Sequence, residues 1–139
     1  MRFACLFLVA SAVFIFGVAQ PAAGVQQFFD AFVKTYVTDH PDKKFVELVT
    51  KDAKCHVCHK GKNRKNHNVF GEELDTLLDR KTDVKDQEKI LAAFNKVLDM
   101  HVDPKNDKSE TYRDRVKSGK LPAGELDDLK KEPKEEEKK

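Results

Sequence analysis

DQEKILAAFNKVLDMHV, Asp86 to Val102, is the stretch that settles the fold class. Ile90, Leu91, Phe94, Val97 and Leu98 recur at helical spacing and form one apolar stripe. Asp103-Pro104 ends the helix, because a residue ahead of proline is pushed out of helical geometry. The same spacing repeats upstream. Val25–Val37 (VQQFFDAFVKTYV) gathers Phe28, Phe29, Phe32, Val33, Tyr36 and Val37 on an aromatic face. Pro41–Ala53, with Asp39 or His40 as its cap, turns Phe45, Val46, Leu48 and Val49 inward. Glu72–Leu78 offers Leu74, Leu77 and Leu78, and Ser109–Lys117 reads as a last short helix capped by Ser109 and stopped at Gly119. No alternating pattern predicts a strand. The expected architecture is all-α, a small bundle of about four to five short helices.

Composition bounds the rest. The chain has 139 residues, with 26 Lys+Arg against 24 Asp+Glu, a formal charge of +2. That balance excludes both a strongly basic nucleic-acid binder and a strongly acidic solvating chain. Charged residues at 36% and hydrophobic ones at 40% leave material for one small domain, not two. A core of that size ordinarily needs a staple: a disulfide, a metal or a large prosthetic group.

Met1–Val18 (MRFACLFLVASAVFIFGV) has one early arginine and then an uncharged apolar run, followed by Ala19-Gln20-Pro21-Ala22-Ala23-Gly24. This is the plan of a secretory signal peptide, with Ala22 and Gly24 suited to a cut before Val25. The rival is an uncleaved membrane anchor, but the small-residue exit favours cleavage. The expected organisation is a signal peptide over 1–24, a helical domain over 25–122 and a charged, disordered tail over 123–139. Its last ten residues, KKEPKEEEKK, offer nothing to bury. The expected location is outside the cytoplasm, in a bacterial periplasm, with no stable membrane insertion after cleavage. Cys5 leaves with the peptide. Cys55 and Cys58 remain.

Cys55-His56-Val57-Cys58-His59 is C-x-x-C-H, the attachment signature of a c-type haem. Two thiols three positions apart on a helical turn can reach the two vinyl groups on one edge of the macrocycle. His59, the next residue, is then held beneath the iron as its proximal ligand. Three other readings compete. A zinc site needs four ligands; Cys55 and Cys58 could combine with His56, His59 or His67, but no second pair has zinc-finger spacing. A thioredoxin-like C-x-x-C needs a βαβ surrounding that this sequence lacks. A plain disulfide would leave Phe28, Phe32, Phe45, Phe70 and Phe94 without the large flat partner that so many aromatics suit. The expectation is one covalent haem c with the helices wrapped around it.

With its N-terminal helix, its Lys-Cys-x-x-Cys-His turn and short helices behind, the chain resembles a small exported monohaem cytochrome c, broadly of class I order. Asn68-Val69-Phe70-Gly71 and the stretch Tyr112-Arg113-Asp114-Arg115 through Gly119-Lys120-Leu121-Pro122 are similar to segments of small exported single-haem proteins. The sequence departs from class I in lacking Pro-x-Leu after the haem loop and a Met-bearing loop ahead of a long C-terminal helix. The resemblance implies a single-electron carrier between redox proteins, not an enzyme. It makes Met100, the methionine remaining after cleavage, the first choice for a distal iron ligand. His101, near the centre of the apolar stripe, and His67, on the basic loop, are its rivals. The alternatives in function are a five-coordinate haem protein that binds or reduces a small molecule such as nitric oxide or peroxide, and a zinc-binding interaction module. Lys51, Lys54, Lys60, Lys62, Arg64 and Lys65 crowd the motif with Asp52 as the one acid among them. The cluster is either a solvated loop or a surface that steers the acidic patch of a redox partner. Nucleic acid is not an expected partner at this charge.

Overall fold

The computed structural model describes residues 23–133. The expected signal segment lies outside the described residues except for Ala23 and Gly24, which open the first helix. The fold is all-α; among the described residues the extended pairing is limited to two isolated bridges, His59 with His67 and His101 with Thr111. None of the helices among the described residues is long and apolar enough to cross a membrane.

Helix α1 (Ala23–Phe32) widens into a π-helical turn over Val33–Val37. Its aromatic face packs on α4 (Gln87–Leu98), and the Tyr36 hydroxyl donates to Asn95 Oδ1 at 3.0 Å. Helix α2 (Lys43–Glu47) is capped by Asp42, whose carboxylate accepts from the amides of Lys44 and Phe45 at 2.9 and 3.4 Å. Neither Asp39 nor His40 serves as the cap. His40 is turned inward instead, with its ring 4.7 Å from that of Phe45 and its Nδ1 accepting the Asp42 amide. The chain runs on through a wide turn, Leu48–Ala53, and a tight one, Lys54–Val57. Helix α3 (Val69–Asp75) starts three residues earlier than expected because Asn68 caps it. Helix α5 (Tyr112–Lys117) begins at a Thr111–Asp114 capping box, not at Ser109. The Ser109 hydroxyl instead donates within the preceding loop.

Phe32, Phe70 and Phe94 meet at the centre with ring centroids 5.4 to 6.4 Å apart, and Tyr112 stands edge-on to Phe70 at 5.3 Å. Each such pair stabilises by about 0.5–1.5 kcal/mol beyond its buried area. Phe28, Phe32, Phe45, Phe70 and Phe94 are the rings the sequence offers as walls for a flat ligand. Phe32, Phe45 and Phe70 are instead closed within the protein core.

The expected disordered tail over 123–139 is corrected over its first part. Leu126–Leu129 form helix α6, Leu129 is 4% exposed and Pro133 is buried. Leucines at 126 and 129 give this charged stretch one apolar side, and that side finds the core. Residues 134–139 lie outside the described residues.

Candidate functional site

Lys54 turns the chain from the wide end of the α2 segment into the C-x-x-C-H. It does so at φ 45° and ψ −110°, a left-handed conformation that costs a non-glycine residue of order 1–3 kcal/mol. The amides of Cys58 and His59 then both donate to the Cys55 carbonyl, at 3.2 and 2.9 Å. This coils the pentapeptide into one tight turn.

Asn68 ties that turn to α3. Its side-chain nitrogen donates to the carbonyls of His56 and Val57 at 2.9 and 3.1 Å, and its oxygen accepts the Gly71 amide at 2.9 Å. Its own amide donates to the Cys58 carbonyl at 3.0 Å. Each polar atom of this 4%-exposed residue is thereby satisfied. Gly71 allows the close approach: a Cβ built there would lie 2.0 Å from the Cys58 carbonyl oxygen. Sequence reading noticed Asn68 and Gly71 only as part of a familiar-looking segment. The capping preference of asparagine ahead of an apolar run was the signal that could have placed Asn68.

Cys55 and Cys58 are partly buried, free thiols. Burial, and then the neighbouring Cys55, push the Cys58 thiol up to about 12, so it is held protonated. His59 is 5% exposed, and its Nδ1 is buried with no partner. Burial first, then the charge of His67, lower its pKa to about 4. The His67 ring lies 4.8 Å from that of His59, and its Nδ1 is 3.9 Å from an Asp75 oxygen.

The motif opens on a cleft of about 1510 Å³. Cys55, Cys58, His59 and His67 line one part of it, while Phe28, Phe29, Leu74, Leu77 and Phe94 supply apolar walls. Lys54, Arg64, Lys65 and Arg80 add positive charge to the same lining. Met100 and His101, two of the three distal candidates, do not line it. Helix α4 ends at Leu98, so both residues fall in the turn toward α5. There the Met100 carbonyl accepts the Tyr112 amide at 3.1 Å, and His101 Nδ1 lies 2.6 Å from the Ser109 carbonyl. His67 alone of the three reaches the cleft. Among the described residues, no group of three or more Cys, His, Asp or Glu side chains is placed to hold a metal ion.

The depressed His59 pKa has a thermodynamic consequence. The unfolded chain takes up a proton near 6.5 and the folded one resists until about 4, so stability is full above pH 6.5 and is lost as pH falls toward 4. The interval corresponds to up to about 3 kcal/mol. In a Cys55→Ser, Cys58→Ser protein, where nothing is attached to the motif, the melting temperature should fall over this window. Adding His59→Gln should flatten that part of the profile; an unchanged slope would show that His59 does not carry it.

No family model, curated protein or solved structure matches the chain.

Proposed function

We propose that the chain carries one haem c, joined at Cys55 and Cys58 with His59 as an axial ligand, and relays single electrons between redox proteins. The observation that carries this reading is the opening of the C-x-x-C-H onto a large cleft with aromatic and leucine walls. The donor set fits the group: two unjoined thiols on one tight turn, and beside them a buried imidazole nitrogen with no partner. Haem bound there supplies one-electron chemistry at its iron, tuned by axial ligands and burial.

The chain's own residues do the rest. Cys55 and Cys58 would fix one edge of the group, and the His67 ring packs 4.8 Å from the His59 ring beside it. Phe28 and Phe29 would give the group an apolar wall. Lys54, Arg64 and Lys65 surround the motif with positive charge that would draw in an acidic patch on a redox partner. The same reading places the protein outside the cytoplasm, delivered by the signal segment.

A second reading, an iron with an open position that binds a small ligand, is favoured by one observation: Met100 does not line the cleft. Two measurements test the pair. Protein matured in a host competent for haem attachment should stain for haem on a denaturing gel, and Cys55→Ser with Cys58→Ser should abolish the stain. An unstained wild-type chain would end both readings. Rapid binding of carbon monoxide by the reduced, stained protein would select the second.

A further inference from the structure

We propose that the segment 126–133 is a strap that positions the His59 imidazole, acting through the loop over residues 60–66, with Glu132 as its positioning residue. The strap is fastened to the loop by two bonds. The Gly61 amide donates to the Leu129 carbonyl at 2.8 Å, and the Lys62 amide donates to Glu132 Oε1 at 2.9 Å. The second acceptor is a carboxylate, which makes the bond a strong one. Leu129 and Pro133 are buried on either side, so the strap is anchored in the core.

Gly61 shows how closely the two segments pass. It sits at φ +70°, and a Cβ there would lie 2.5 Å from Glu132 Oε2 and 3.2 Å from Glu132 Cα. A side chain at position 61 would push the strap away. Across the loop, the Lys60 amide donates to the Asn66 carbonyl at 3.0 Å and the Asn66 amide to the Asn63 carbonyl at 2.9 Å. His67, the next residue, pairs with His59 across the loop and sets its ring 4.8 Å from the His59 imidazole. The loop is therefore held at one end by the strap, at Gly61 and Lys62, and packed at the other against the imidazole through His67. Loosening the first end frees the second.

What His59 ligates rests on the haem reading; the path from Glu132 to the imidazole does not. The test uses the full chain as wild type, Glu132→Ala and Glu132→Gln, in the reduced state. Glu132→Ala should speed amide hydrogen exchange at Gly61 and Lys62 by about tenfold, the scale of one lost charge-assisted hydrogen bond, with Ile90 and Phe94 in α4 unchanged. The His59 imidazole resonances should move in the same variant. Glu132→Gln, which keeps an oxygen acceptor, should restore both readings to near wild type. Unchanged exchange would overturn the strap. Faster exchange with unmoved His59 signals would reduce it to a local fastening and overturn the positioning role, and a glutamine variant that behaves like alanine would overturn the hydrogen-bond route. A haem stain on the same samples separates the two ideas: an unstained wild type ends the haem reading while exchange and imidazole signals still decide the strap.

Discussion

Phe94→Ala is expected to lower the unfolding free energy by about 3–5 kcal/mol, as for other fully buried aromatic side chains cut back to alanine. Phe94 has no exposed surface and sits between Phe32, Tyr36 and Phe70, at centroid distances of 5.4, 6.2 and 6.4 Å. Removing its ring takes a partner from each of three others, and α4 and α1 fix the backbone that would have to collapse into the space. At about 4–8 °C per kcal/mol for a domain of this size, the melting temperature should fall by about 12 °C or more. Phe94→Leu should recover most of the loss. Circular dichroism melts of the three proteins decide it, and a fall under about 1 kcal/mol would mean that the core closes over the gap. Val69, half exposed at the start of α3, is the control: Val69→Ala should be nearly neutral.

The second large effect belongs to Gly71. A methyl group there would overlap the Cys58 carbonyl oxygen at 2.0 Å and crowd the carbon and Cα behind it at 2.9 and 3.2 Å. All three atoms are backbone, so nothing can swing aside. Either α3 moves off the motif, breaking the Asn68 bonds, or the motif turn opens. Gly71→Ala should therefore cost at least the usual 1–3 kcal/mol of overpacking. On the proposed haem reading it should also reduce the fraction of chains that stain for haem, because the same displacement separates the thiols from the cleft wall. A stable, fully stained Gly71→Ala protein would contradict the close approach.

The helices were legible in the sequence wherever one apolar side repeated over several turns, as in α4 and α1. Their ends were not. Asp42 and Thr111 are the caps in place of Asp39 or His40 and of Ser109, and Asn68 caps a helix whose pattern named none, because a cap is chosen by which side chain meets free amides once the chain has turned. Ordinary composition statistics misread the tail for a related reason. Two leucines among many charges are enough to dock one turn when a matching surface exists, and that surface is made by distant residues. At the site, the spacing of Cys55, Cys58 and His59 was readable, and the structure places all three on one cleft. Met100 was chosen by residue type and by its place at the end of a helix. The helix stops earlier, and the Tyr112 amide takes the Met100 carbonyl into the turn toward α5. Two close approaches, Gly71 on Cys58 and Gly61 on Glu132, were invisible, since glycine announces no more than a permitted conformation.

The bonds that Asn68 makes reach back only to His56, Val57 and Cys58, no more than 12 residues along the chain. The bond from Lys62 to Glu132 spans 70. Short loops close at little entropic cost and long ones at more, and contacts between distant residues set the pace of folding. The motif turn and α3 can therefore form as a local unit while the C-terminus is still emerging, with both thiols presented and the loop beside them loose. The strap, whose bond spans the longest stretch of chain among these, is expected to close after them. Assembly in that order leaves the cysteines open to covalent chemistry before the fold is finished and draws the loop tight only afterwards.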